Sequence, residues 1–136
     1  CALAAVQVVR WVHGTHSRML AFCVMPDHVH TVVLNRRYPL QSVVRLLKRE
    51  TTQRLKCLGV SPTIWQRGYH DHVIRRKECL FEAIRYVLMN PVRAGLAEHW
   101  RDYPWSGSIE WPDLDDSFMD DAVAERVVIS QLLGTD

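Results

Sequence analysis

Met19-Leu20-Ala21-Phe22-Cys23-Val24-Met25, then Pro26-Asp27, then His28-Val29-His30-Thr31-Val32-Val33-Leu34, is the stretch that decides the fold. The first seven residues are apolar without a break. They read as a strand over 19–25 that is buried on both faces. Pro26-Asp27 is a turn signal. Residues 28–34 alternate and read as a second strand, so the pair forms an antiparallel hairpin. Residues two apart on a strand share a face. His28 and His30 therefore point one way while Val29 points the other. Paired imidazoles on a rigid strand are a good half-site for a divalent metal.

Helices flank this hairpin. Residues 2–13 (ALAAVQVVRWVH) are rich in alanine and read as a helix stopped by Gly14. Leu40–Leu58 carries apolar residues at Leu40, Val43, Val44, Leu46, Leu47, Leu55 and Leu58, interspersed with Arg45, Lys48, Arg49, Arg54 and Lys56. That is an amphipathic basic helix. It suits either an ordinary solvated surface or a wall that tracks phosphates. Lys77–Asn90 is the next helix, with Pro91 and Gly95 read as its stop signals. Leu80, Ile84, Val87 and Leu88 fall in one stripe at 100° per residue. Tyr86 and Asn90 sit on the flank of that stripe, one turn apart. Residues 64–75 (IWQRGYHDHVIR) read as a loop leading into a strand. Trp65 fits there as a plug for the core; in the other reading Trp65 or Tyr69 stacks on a base, with Arg67 or Arg75 on phosphate. Tyr103-Pro104-Trp105-Ser106 falls in a loop, and residues 121–133 suggest a final short helix.

Composition bounds the function. The 136 residues make one domain large enough for a core. The four cysteines (Cys1, Cys23, Cys57, Cys79) form no CxxC pair, which argues against a zinc ribbon or a disulfide scaffold. Cys23 reads as core. No apolar run is long enough to span a membrane. Residues 1–9 lack the basic start and cleavage site of a signal peptide, so a reducing cytoplasm is the expected setting. The net charge of +2 conceals an asymmetry: residues 1–101 hold 16 Lys/Arg against 6 Asp/Glu, and residues 102–136 hold 1 Arg against 9 Asp/Glu. A body this basic suits a polyanion such as nucleic acid. The division expected is a domain over 1–110 and an acidic tail over 111–136.

A tyrosine hydroxyl is a weak nucleophile at neutral pH, with an ordinary pKa of about 10. A metal on His28 and His30 would polarise a phosphate beside it. The Asn90 side-chain carbonyl could complete the protein ligands, leaving positions open for phosphate oxygens and water. That donor set suits Mg²⁺ or Mn²⁺. Two other readings stay open. In one, the chain only grips nucleic acid; in the other, water is the nucleophile and Tyr86 is structural. Tyr69, beside His70 and His72, is a rival nucleophile, and those two histidines form a further His-x-His pair.

MPDHVH at 25–30, WQRGYHDHVIR at 65–75 and YVLMNPVRAGL at 86–96 resemble the REP-associated tyrosine transposases. These belong to the single-tyrosine HUH superfamily, named for its His-hydrophobic-His motif. The resemblance covers roughly residues 2–110. It implies an α+β fold, a central antiparallel β-sheet with helices packed on it, like the ferredoxin-like palm of replication-initiation nucleases. It implies a metal pair at His28 and His30, a nucleophile at Tyr86 and a third ligand at Asn90. It implies cleavage and rejoining of single-stranded DNA near a small hairpin through a covalent 5′-phosphotyrosine. Lys48, Arg49, Arg67 and Arg75 are the DNA contacts expected beside that site. The protein would act as a monomer or homodimer, away from membranes. The family opens with a strand ahead of its first helix, and this chain starts inside that helix. A sheet lacking its first strand is therefore expected.

Overall fold

The computed structural model describes residues 1–34, 37–60, 65–75 and 77–119, without the side chains of 77–79. The helix expected over 121–133 lies outside the described residues. In chain order the elements are α1 (Ala2–Thr15), β1 (Arg18–Val24), β2 (Val29–Leu34), α2 (Leu40–Cys57), α3 (Lys77–Arg93) and β3 (Ser106–Gly107). The strands form one antiparallel sheet in the order β2-β1-β3. This is the expected α+β class.

β1 is the middle strand, and its unbroken apolar sequence follows from that place. Helices cover both of its faces. Leu20, Ala21 and Cys23 enter one cluster with Phe81, Ile84, Val87 and Leu88 of α3. Met19, Phe22 and Val24 enter a second cluster with Val8, Val9 and Val12 of α1 and Val43 of α2. A bulge between Met19 and Ala21 sets the register. Beyond it Cys23 lies opposite His30, and Val24 opposite Val29. Directly opposed residues share a face, so His30 lies on the α3 side of the sheet, as Cys23 does.

Three expectations change. Pro91 does not stop the last helix: α3 runs on to Arg93 with Pro91 inside it. Proline lacks an N–H, so this forgoes the bond to the Val87 carbonyl, but the Pro91 ring is fully buried. The stop is Gly95, at φ 72°. Leu96 N–H donates to Pro91 O at 2.8 Å and Gly95 N–H to Val92 O at 3.0 Å, the two bonds of a Schellman cap. Second, Ser106–Gly107, to which the sequence reading assigned no strand, forms the short strand β3 against Phe22 and Cys23. Residues 65–75, expected to lead into a strand, contain no helix or strand. Third, the body does not end at 110. Trp111 and Phe118 are buried in the α3-side cluster, and Asp116 accepts from Trp100 Nε1 at 3.0 Å. Glu110 pairs with Arg18 at the start of β1. The first part of the acidic stretch is thus packed on the domain, because its aromatic residues close the core below α3.

Candidate active site

The β1–β2 turn places the histidines. Met25 N–H donates to His28 O at 2.8 Å, which closes the turn over Pro26-Asp27 and starts β2. Across it His28 Nε2 and His30 Nε2 stand 2.9 Å apart. The rings meet edge to face, at 88°. His28 Nδ1 lies 2.5 Å from Asp27 Oδ1. Donation from Nδ1 to that carboxylate leaves the Nε2 lone pair of His28 turned toward His30. The bond to His28 holds the Asp27 carboxyl below its ordinary range.

α3 brings the tyrosine. The Tyr86 ring meets the His30 ring edge to face, with centroids 6.0 Å apart. It is 55% exposed, which leaves it open to a substrate. Asn90 lies one turn further along α3 and is buried, and its Nδ2 is a buried atom without a hydrogen-bond partner. His30 is the less solvated imidazole. Burial, then the charges of His28 and Arg93, lower its pKa. A low pKa favours the neutral ring, the form that ligates metal.

These residues fit a divalent ion. Two imidazole nitrogens present a common bite, one of them braced by a carboxylate. The orphaned amide of Asn90 is a polar group whose oxygen and nitrogen exchange places on rotation. Among the described residues no group of three His, Cys, Asp or Glu side chains converges.

The expected DNA contacts are spread. Lys48 donates to Gln66 O at 3.0 Å and Gly68 O at 2.6 Å, with its ammonium 5.9 Å from the centre of the Trp65 ring. It ties α2 to the segment that carries Arg67. Arg49 lies on the exposed face of α2 and pairs with Glu50. Arg67 and Arg75 are exposed along 65–75, as are Tyr69, His70 and His72. The structure brings His28, His30 and Tyr86 together, with Asn90 on the same helix.

Two residues of this site escaped the sequence reading. One is Asp27, taken there only as part of a turn. The other is Arg93. Its guanidinium carbon lies 4.0 Å from the Tyr86 ring centroid, and it donates to the Tyr86 backbone carbonyl. Seven residues is two helical turns, so positions 86 and 93 share a face. Reading Pro91 as the helix end hid that relation.

Residues 7–87 match the model of the family described as transposase IS200 like. That span takes in His28, His30 and Tyr86 and stops short of Asn90. The chain is 29% identical over 99 residues to a protein of Haemophilus influenzae (strain ATCC 51907 / DSM 11121 / KW20 / Rd) that is itself assigned provisionally as a REP-associated tyrosine transposase. The match covers 64% of this chain and 56% of that protein. A solved structure of a REP-associated tyrosine transposase bound to a REP hairpin shares the fold, with a TM-score of 0.60 at 23% identity. It covers 77% of this chain and 61% of the other. The chain thus spans less than two thirds of the length of each relative. With more than half of its residues inside the family match, and with the paired imidazoles and the tyrosine falling there, the chain belongs to the IS200-like transposase family.

Proposed function

We propose that this protein cleaves and rejoins single-stranded DNA at a hairpin, using Tyr86 as the nucleophile. The observation that carries the reading is the convergence of His28, His30 and Tyr86. The Nε2 atoms of the two imidazoles stand 2.9 Å apart, and the His30 ring meets an exposed tyrosine. His28 and His30, with Asn90 through its side-chain carbonyl, would hold a divalent ion, Mg²⁺ or Mn²⁺. When bound, that ion supplies Lewis-acid polarisation of the scissile phosphate.

The chain's own residues do the rest. Asp27 fixes the His28 ring. Tyr86, at the surface of α3, attacks phosphorus; its Oη–P bond forms as the bond to the 3′ oxygen breaks. The phenol gives up one proton and the departing 3′ oxygen gains one. The products are a 5′-phosphotyrosine and a free 3′ hydroxyl. One ester replaces another and no water is consumed, so the 3′ hydroxyl of the same or another strand can reverse the step. Arg49, Arg67 and Arg75 are exposed cations on a basic body and contact the DNA backbone. Lys48 supports them by holding residues 66–68 in place. The hairpin substrate is the ligand of the relative of solved structure. Among the described residues no helix is long and apolar enough to cross a membrane.

The test is a denaturing gel of labelled hairpin DNA with a single-stranded flank, incubated with protein and Mn²⁺. Wild type gives a covalent protein–DNA band that Tyr86→Phe and His30→Ala abolish. Cleavage that survives Tyr86→Phe would assign the attack to water. Tight binding without cleavage would leave a hairpin-binding module.

A further inference from the structure

An exposed tyrosine on a helix surface has two χ1 wells open to it. In this structure the Tyr86 ring occupies the one that meets His30. Arg93 covers it from the next two turns of α3. The guanidinium lies over the ring at 4.0 Å, and the same group donates to the Tyr86 carbonyl. The ring therefore has a guanidinium 4.0 Å from its centroid and an imidazole set perpendicular to it. Arginine suits both contacts at once: its guanidinium is planar, stacks on aromatic faces and carries five N–H donors in a rigid fork. The C-terminal cap at Gly95 fixes the helical turn from which Arg93 projects.

We propose that Arg93 is a positioning residue for Tyr86, clamping the phenol ring against His30 so that its hydroxyl is held toward the paired imidazoles. The proposal rests on the assignment of Tyr86 as nucleophile. Attack on phosphorus requires alignment, and a displacement of about 1 Å can cost on the order of a hundredfold in rate. An unclamped Tyr86 would spend part of its time in the other well, away from the histidines. Arg93 acts through Tyr86, so its loss lowers the rate at saturating DNA more than it lowers affinity.

The experiment compares wild type, Arg93→Met and Arg93→Lys in the full chain, with two readouts. Protein labelled with 3-fluorotyrosine gives four ¹⁹F resonances, one for each of its four tyrosines, and Tyr86→Phe identifies that of Tyr86. Arg93→Met should move the Tyr86 resonance alone, the other three reporting an intact fold. The second readout is the rate of covalent adduct formation with hairpin DNA and Mn²⁺, taken beside the Kd for the same DNA. Arg93→Met should cut the saturating rate by about tenfold or more and leave Kd within about twofold. Arg93→Lys keeps the charge without the planar stack and should recover only a small part of the rate. An unmoved Tyr86 resonance with a rate within twofold of wild type would overturn the clamp. So would a tenfold weaker Kd at an unchanged saturating rate, which would make Arg93 a DNA contact. If wild type forms no adduct, the nucleophile assignment fails, and the fluorine resonance alone decides the clamp: moved sustains it, unmoved overturns it.

Discussion

Replacing Gly95 with alanine tests the end of the helix that carries Tyr86, Asn90 and Arg93. Gly95 sits at φ 72°, and a Cβ built there meets nothing within 4 Å. Collision therefore contributes nothing to the effect. What remains is the left-handed backbone, roughly 1–2 kcal/mol for a residue with a Cβ. Against it stands the smaller entropy of an unfolded chain that has lost a glycine, roughly 0.4–1 kcal/mol. The net is a destabilisation of about 1 kcal/mol. For a chain of this size that lowers the melting temperature by roughly 3–5 °C. Asparagine tolerates the left-handed region better, so Gly95→Asn should fall between alanine and wild type. Urea titration followed by circular dichroism, with a thermal scan, measures both. A neutral or stabilising Gly95→Ala would refute the reasoning, because it would mean that residue 95 is not held at positive φ and that α3 ends some other way.

Four further outcomes are expected. Phe118→Ala empties a side chain that is 2% exposed and should cost about 3–5 kcal/mol in a urea titration; a near-neutral result would put the acidic stretch outside the domain. Tyr103 donates from its hydroxyl to Val24 O at 2.7 Å, at the end of β1 beside the histidine turn, so Tyr103→Phe should cost about 1 kcal/mol by thermal melting. His30 has a pKa below the ordinary 6.5, so between the two values the unfolded chain binds more protons than the folded one. Stability from this group is then present above pH 6.5 and declines as pH falls through the folded value. In metal-free buffer the urea midpoint of wild type should drop relative to His30→Gln as pH is lowered from 7 to 5, and parallel curves would contradict this. Hairpin-DNA affinity should fall linearly on a log–log plot against salt, with Arg67→Ala and Arg75→Ala each reducing the slope by about 1; a flat response would exclude phosphate tracking by these residues.

The secondary structure around the site was legible because hydrophobic period and turn chemistry are local. The unbroken apolar run at 19–25, the Pro26-Asp27 turn and the alternation after it define a hairpin wherever they occur, and the structure has β1 and β2 within a residue of those bounds. The same holds for α1 and α2, which begin where their apolar stripes begin. Local signals failed where neighbours decide. A proline is a helix stop in isolation, but burial of the Pro91 ring carried α3 onward to the glycine cap. Two residues as ordinary as Ser106-Gly107 become a strand only because the open edge of β1 is there to pair with them.

By itself the sequence determined the hairpin with its two same-facing imidazoles and the pairing of Tyr86 with Asn90 on one helix face, each from a period of 2 or 3.6 residues; the α+β class was implied by the family resemblance. Tertiary structure alone decided that His30 faces α3 rather than α1, through the register set by the bulge after Met19. It alone set the 6.0 Å approach of His30 to Tyr86, the stacking of Arg93 on that ring and the burial of Trp111 and Phe118. Except for the Arg93 stack, whose partner is two turns away on the same helix, these contacts join segments far apart in the chain. They arise when both faces of β1 are covered, and no local pattern encodes the pairing of surfaces that burial selects.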